Sequence, residues 1–148
     1  ELLRVGHCYM SDLTDALGVD SKTSGEAIER LDRGGYIVRA GLRGSKFYTF
    51  EITEKGLAEL KPLSGAEAEL ADMKLTPLYL DLLKAAAKSP EEQAAFLKEH
   101  QIKSMRMSSI CTHLTRQGYI REKGMYKRRL EVTEKGMEVI KKYAKLSV

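Results

Sequence analysis

The residues with the clearest chemistry in this sequence are a cluster of cations in its second half. Between residues 101 and 129 the chain has eight Lys or Arg side chains and a single acidic one, Glu122. Hydroxyl and imidazole side chains stand among the cations, at Ser108, Ser109, Thr112 and His113. Concentrated positive charge attracts phosphates, and such polar groups can bond to the edges of bases. The combination favours a surface that binds nucleic acid, and a merely solvated helix face is the alternative interpretation.

Other chemistries have weaker support. Cys8 and Cys111 are far apart and show no CxxC spacing, so neither a disulfide framework nor a structural metal site is expected. The chain has no phosphate-binding glycine loop and no arrangement typical of a catalytic triad, so we expect neither enzyme activity nor a cofactor. No apolar run approaches the roughly 20 residues of a membrane helix. A cytoplasmic, nucleoid-associated protein without a membrane partner is the expectation.

The composition is that of a globular protein, with 148 residues of which 43% are hydrophobic and 31% charged. This length suits one medium domain or two small ones. The net charge of +4 is unevenly distributed. Residues 1–65 contain nine basic and ten acidic side chains, whereas residues 66–148 contain sixteen and eleven. The excess of positive charge therefore belongs to the second half of the chain.

Two stretches of the chain repeat each other. The tetrapeptide TEKG stands at residues 53–56 and 133–136, and the triplet GYI precedes it at residues 35–37 and 118–120. The second copy is three residues shorter between triplet and tetrapeptide, where the first copy is rich in glycine. A length change at a glycine-rich tip is typical of a hairpin. The repeat predicts two related structural units.

Helix signals in the second unit are the more distinct. Thr76-Pro77 and Ser89-Pro90 are typical helix starts, with a capping residue followed by proline. A third helix is predicted from about Ser104 to Gln117 because apolar residues recur there at helical spacing. Those residues are Met107, Ile110, Cys111 and Leu114. A strand, a turn and a return strand follow, and Thr133 is predicted to cap a last helix.

The first unit is predicted to have the same order of elements. Its third helix should run from about Lys22 to Arg33, with one buried face. The residues expected on that face are Ser24, Ala27, Ile28 and Leu31. A short first helix is expected near residues 1–7. The fold class is therefore α+β, mainly α, with a first domain at residues 1–62, a helical connector at 63–75 and a second domain with a C-terminal helix at 76–148.

Each unit resembles the winged-helix core of MarR-like transcription regulators. The stretches that carry this resemblance are LTDALGVDSKTSGEAIERLDRGGYIVR and EITEKGLAEL in the first unit, and FLKEHQIKSMRMSSICTHLTRQGYIRE and LEVTEKGMEVI in the second. The resemblance implies two tandem winged helix-turn-helix domains, each with three helices and a β-hairpin wing. In this fold the third helix enters the major groove of DNA and the wing contacts the backbone or the minor groove. MarR-like regulators hold one such core per chain and dimerise, so two cores in one chain depart from the pattern.

The resemblance assigns candidate DNA-binding residues to both units. In the second unit they are Lys103, Ser104, Arg106, Ser108, Ser109, Thr112, His113 and Arg116 on the third helix, with Arg121, Lys123, Lys127, Arg128 and Arg129 on the wing. In the first unit they are Lys22, Thr23, Arg30, Arg39, Arg43 and Lys46. Glu26 and Glu29 also fall on the outer face of the first unit's third helix, where they would oppose phosphates. That face is a candidate surface for a protein partner.

The expected function is a sequence-specific, double-stranded DNA-binding protein, specifically a transcription regulator of prokaryotic or archaeal type. The second unit would do most of the base reading. The alternative is a structural or assembly protein of a chromosome-organising or replication-initiation complex, in which one unit contacts protein. The apolar stripe of the final helix, expected from Thr133 to Leu146, offers a surface for a homodimer.

Overall fold

A computed structural model describes residues 3–4, 8–40, 49–123 and 129–144. Within these ranges the chain is rich in α-helix and contains two small antiparallel sheets, which confirms the α+β, mainly α class. The chain divides into two compact units, Glu1–Ser64 and Gly65–Val148. No helix in the described ranges is long and apolar enough to cross a membrane.

The first unit has two helices, a three-stranded sheet and a short last helix. Its elements are β1 (Cys8–Tyr9), α1 (Met10–Leu17), α2 (Ser21–Arg33), β2 (Ile37–Ala40), β3 (Thr49–Ile52) and α3 (Glu54–Glu59). Strand β3 is central and pairs antiparallel with both neighbours, with Phe50 opposite Cys8 and Ile52 opposite Ile37. Gly18 ends α1 at φ +63°, a left-handed conformation that glycine adopts at little cost and that turns the chain toward α2.

The described part of the first unit has a small core. Its fully buried apolar residues among those described are Ile28, Ile37 and Phe50, with Leu3, Met10 and Leu13 partly buried against them. Ser24 and Ile28 of α2 are buried as predicted. The prediction that Ala27 and Leu31 are buried was wrong, since Ala27 is exposed and Leu31 is 37% exposed. The first helix predicted near residues 1–7 lies largely outside the described residues.

The second unit has five helices and a two-stranded hairpin among its described residues. Its elements are α4 (Gly65–Asp72), α5 (Pro77–Lys88), α6 (Pro90–Glu99), α7 (Ser104–Arg116), β4 (Ile120–Lys123), β5 (Arg129–Val132) and α8 (Glu134–Lys142). The predicted caps are present: the Thr76 hydroxyl accepts the N–H of Tyr79 at 3.2 Å, and the Ser89 hydroxyl accepts that of Glu92 at 3.1 Å. Local capping chemistry thus sets the starts of α5 and α6.

Among the described residues, the core of the second unit is much larger than that of the first. Helices α4 and α5, which precede the repeated segment, contribute fully buried leucines such as Leu70, Leu80 and Leu83. Leu70 comes from the region taken in the sequence as a connector, and its carbonyl accepts the N–H of Leu75, which is also buried. Helix α4 is therefore an integral part of the second unit. The described part of the first unit contains no counterpart of α4 and α5.

The repeated GYI triplet ends α2 and α7 in the same way. Gly35 and Gly118 have φ values of +75° and +80°, the left-handed conformation that terminates many helices. The N–H of Tyr119 then donates to the carbonyl of Leu114 at 2.9 Å, and Tyr36 makes the matching bond in the first unit. Helix termination therefore explains why this glycine recurs and why the residue after it makes the same backbone bond in both units.

The repeated TEKG tetrapeptide anchors the last helix of each unit to the preceding helix end. In the second unit the Thr133 hydroxyl donates to the carbonyl of Gly118 at 2.7 Å. The Lys135 ammonium donates to the carbonyl of Gln117 at 2.7 Å and lies 4.6 Å from the ring centre of Tyr119. Carbonyls at a helix C-terminus attract cations, and an ammonium is also attracted to an aromatic face.

The first unit reproduces these contacts. Thr53 donates to the Gly35 carbonyl at 2.7 Å, and Lys55 donates to the Gly34 carbonyl at 2.6 Å. The Lys55 ammonium again lies 4.6 Å from an aromatic ring centre, that of Tyr36. The repetition that is most visible in the sequence therefore has a structural cause.

The glycine of TEKG is required by a close approach of two backbones. A Cβ added to Gly136 would lie 2.5 Å from the Tyr119 carbonyl oxygen and 2.6 Å from a methyl carbon of Val132.

We expect Gly136→Ala to lower the free energy of unfolding by roughly 1–3 kcal/mol, because backbone atoms must move. Urea denaturation followed by circular dichroism measures the change. Gly25→Ala is the matched control, since nothing lies within 4 Å of that Cβ, and it should stabilise by about 0.5–1 kcal/mol. Equal effects of the two substitutions would contradict this explanation.

A charged cluster links α4 to α8. The Glu69 carboxylate lies 2.7 Å from the Lys142 ammonium and accepts a hydrogen bond from the Tyr143 hydroxyl. The bond from Lys142, followed by that from Tyr143, lowers the pKa of Glu69. Its stabilising contribution is present above the unfolded pKa of about 4.3 and is lost as the pH falls through the lower folded pKa.

We therefore expect the melting temperature to fall between about pH 5 and pH 3 more steeply in the natural protein than in Glu69→Gln. The effect should be small because both charged side chains are about half exposed. Thermal melts across this pH range measure it. Glu67→Gln removes an exposed charge from the same helix and should leave the dependence of the melting temperature on pH unchanged. Parallel pH profiles for the natural protein and Glu69→Gln would argue against the proposed role of this cluster.

Candidate nucleic-acid interface

Helix α7 has one buried and one outward face. Met107, Ile110, Cys111 and Leu114 are buried, which confirms the predicted core face and the buried state of the Cys111 thiol. The opposite side carries the exposed Met105, Thr112, Thr115 and Arg116 and the partly exposed Ser108 and Ser109. These six residues, called here the outward face of α7, recur every three or four positions and therefore form one continuous stripe.

The structure corrects the position of His113. This side chain, expected on the outward face, is only 5% exposed. Its Nε2 atom lies 2.7 Å from the Lys74 carbonyl oxygen, and its ring centre lies 5.7 Å from that of Tyr79. An imidazole held in this way cannot reach a base. Arg106, two helical turns earlier on the same side of α7, is partly buried and flanks the outward face.

The first turn of α7 has no capping side chain. Its N-cap residue is Lys103, which makes no side-chain bond to the helix N–H groups, and Ser104 follows as an exposed residue. N–H groups at a helix start carry partial positive charge and favour an anion. An exposed ammonium at the cap and an exposed guanidinium at Arg116 thus place cations at both ends of the helix.

The corresponding helix start in the first unit is already occupied by a negative charge. The Asp20 carboxylate accepts the N–H of Thr23 at 2.8 Å and its hydroxyl at 3.1 Å. The hydrogen bond from the Thr23 N–H lowers the pKa of Asp20, so this carboxyl stays ionised at neutral pH. The hydroxyl of Thr23, predicted to contact DNA, is engaged within the cap. A phosphate at this helix start would meet a carboxylate.

The outward side of α2 also differs in charge from that of α7. Glu26 and Glu29 are exposed, as predicted, and Glu29 forms a salt bridge of 2.5 Å with Arg33. Lys22 and Arg30 are exposed, whereas Arg39 on β2 lies 3.6 Å from the carboxylate of Asp32. The cations of this face are therefore interspersed with carboxylates.

The hairpin of the second unit is described only in part. Arg121 is exposed on β4, opposite Glu131 on β5. Lys123 pairs in register with Arg129, so that two cationic residues stand directly opposite each other. The other predicted wing residues, Lys127 and Arg128 in this unit and Arg43 and Lys46 in the first, lie outside the described residues.

Two members of the outward face were not among the predicted site residues. Thr115 lies three positions after Thr112 and is exposed. Met105 is 72% exposed, although its apolar character is more typical of a core position. Helical spacing could have found both, because each is out of phase with the buried set that includes Ile110 and Leu114.

Within the described ranges, no three His, Cys, Asp or Glu side chains come together in a way that could hold a metal ion. No protein-family model matches the chain, and no curated protein matches it significantly. The arrangement of residues on α7 and its flanks is therefore the basis for inferring a function.

Proposed function

We propose that the chain is a double-stranded DNA-binding protein with two tandem winged helix-turn-helix units, in which α7 enters the major groove. The order of elements supports this proposal. Helices α6 and α7 are joined by a short turn and followed by the β4–β5 hairpin, and α1, α2, β2 and β3 repeat that order. A helix, a turn, a second helix and a hairpin are the parts with which winged-helix proteins bind DNA.

The observation that carries the proposal is the outward face of α7 with a cation at each of its ends. Arg116 lies thirteen positions after Lys103, and a helix rises by about 1.5 Å per residue, so the two positions are about 20 Å apart along the axis. The major groove is about 12 Å wide. A helix lying in the groove would bring these cations to the phosphates that border it, with hydroxyl groups toward the bases.

The hairpin adds support from a different element. Lys123 and Arg129 occupy opposed positions in the β4–β5 register, so the hairpin contributes two further cationic residues to the second unit. Arg121, exposed on the same hairpin, extends the positive charge beyond α7. Sequence-specific binding of this kind is the property of a transcription regulator.

A second candidate function is favoured by the first unit. The helix start at Asp20 is negative, and Glu26 and Glu29 stand where α7 has its hydroxyl groups. Exposed apolar side chains also occur in this unit, namely Leu17, Leu31, Val38 and Leu57. These features suit a surface that contacts protein, as in a structural or assembly protein of chromosome organisation or replication initiation. DNA binding by the second unit is compatible with both functions.

A salt series tests the proposal directly. Fluorescence anisotropy would follow titration of the whole chain into a labelled duplex of about 30 bp of arbitrary sequence. We expect micromolar or tighter binding at low salt, with log affinity falling against log salt at a slope of about −4 or steeper. Such a slope corresponds to four or more phosphate contacts at about −0.9 each. Absence of binding at low salt would rule out the DNA-binding proposal and leave the protein-contact function.

A further inference from the structure

We infer that the outward face of α7 recognises the methyl groups of thymine, so that the DNA sites of this protein carry A·T pairs beneath the helix. The inference rests on the proposed DNA-binding function and adds the class of sequence. Three side chains of the outward face end in methyl groups, namely Met105, Thr112 and Thr115. In the major groove, thymine is the base that presents a methyl group, and apolar side-chain atoms contact it.

The hydroxyl of Thr112 is already engaged within the helix. Its Oγ1 atom donates to the carbonyl of Ser108 at 2.9 Å. The hydroxyl hydrogen is therefore not available to a base, and the side chain offers DNA a methyl group and an acceptor oxygen. A residue with this bond distinguishes bases mainly by apolar contact.

Met105 is the second observation that points to an apolar contact. With 72% of its surface exposed, it is the most exposed large apolar side chain among the described residues. Such exposure is unfavourable in water and is relieved when the side chain meets another apolar surface. Met105 precedes Thr112 by two helical turns, the separation at which recognition-helix residues contact bases about two pairs apart.

Groups that specify guanine are placed away from the middle of this face. Arg and Lys are the usual partners of guanine, because they donate to its O6 and N7 atoms. On α7, Arg116 stands in the last turn and the partly buried Arg106 lies on the flank. The side chains between Met105 and Arg116 on the outward face are serines and threonines. Their arrangement favours thymine over guanine at the central positions.

The repeat supplies an internal comparison. The GYI offset aligns Met105, Thr112 and Thr115 with Lys22, Glu29 and Asp32 of α2. All three of these counterparts are charged, so the methyl groups are specific to the second unit. Helical structure alone does not require them there, since α2 forms the same helix of 13 residues without them.

The test compares two A·T-rich duplexes of about 30 bp that differ in one chemical group. In one duplex deoxyuridine replaces every thymine, which removes the methyl groups and preserves the base pairing. For each thymine methyl group that α7 contacts, we expect the whole chain to bind the deoxyuridine duplex about three- to fourfold more weakly. Fluorescence anisotropy at one fixed low salt concentration gives both affinities.

Two substitutions assign the effect to α7. Thr112→Ser removes the methyl group and keeps the hydroxyl with its bond to Ser108, while Met105→Ala removes the thioether. Each should bring the affinity ratio of the two duplexes closer to one. Thr14→Ser is the matched control, because Thr14 in α1 makes the same kind of bond, to the Met10 carbonyl at 2.9 Å. Thr14→Ser should therefore retain the full affinity ratio of the two duplexes.

The outcomes separate this inference from the proposed function. Equal, salt-dependent binding of both duplexes would overturn thymine recognition and leave DNA binding in place. A preference for thymine that keeps its full size in both Thr112→Ser and Met105→Ala would also overturn it. Failure to bind either duplex would overturn the DNA-binding proposal itself.

Discussion

The double substitution Lys103→Glu and Arg116→Glu is expected to lower the affinity for duplex DNA by about 100-fold at low salt, whatever the sequence. Each change removes a cation from one end of α7 and introduces a charge that phosphates repel. The slope of log affinity against log salt should become shallower by about two, since roughly one counterion is released per phosphate contact. Anisotropy titrations at several salt concentrations measure both quantities.

The two substitutions are chosen so that their effects on the helix oppose each other. A carboxylate at the start of α7 stabilises the helix, whereas one in its last turn destabilises it, each by about 0.3–1 kcal/mol. Circular dichroism should therefore show a nearly unchanged fold. Arg33→Glu is the control in the first unit, because Arg33 corresponds to Arg116 in the repeat. We expect it to leave DNA binding nearly unaltered. A decrease in affinity as large as that of the double variant would show that the first unit binds DNA too.

Leu114→Ala is expected to lower the free energy of unfolding by about 2–5 kcal/mol, and Leu31→Ala by no more than about 1 kcal/mol. The two leucines are equivalent in the repeat, but Leu114 is fully buried and Leu31 is 37% exposed. Their carbonyls accept the same bond, from Tyr119 at 2.9 Å and from Tyr36 at 3.0 Å. The comparison therefore isolates the effect of apolar burial and of the cavity that the substitution leaves.

Urea denaturation followed by circular dichroism gives both values. Among the described residues the first unit contributes few buried side chains, so its own transition should come at a lower urea concentration than that of the second unit. Leu114→Ala should shift the later transition and Leu31→Ala the earlier one. Similar costs for the two substitutions would show that Leu31 is covered in solution, in contrast to its exposure in the structure.

Features set by neighbouring residues could be predicted from the sequence alone. The hydroxyls of Thr76 and Ser89 start α5 and α6, and the apolar period of α7 identified its buried face, including Cys111. The duplicated GYI and TEKG motifs predicted two related units, each ending in a hairpin and a helix. These features follow from capping, helical periodicity and self-similarity, which act within a few turns of chain.

Features that depend on contacts distant in sequence were decided only by the tertiary structure. His113 is adjacent to the outward-facing Thr112, but the carbonyl of Lys74, 39 residues earlier, holds it inside the second unit. The period of α2 placed Leu31 in a core, although burial also requires a covering element, and the structure leaves 37% of its surface exposed. The role of the TEKG lysine also came from the structure, because Lys135 and Lys55 donate to helix-end carbonyls 18 and 21 residues away. Sequence periodicity determines which residues share a face, and long-range packing determines what that face meets.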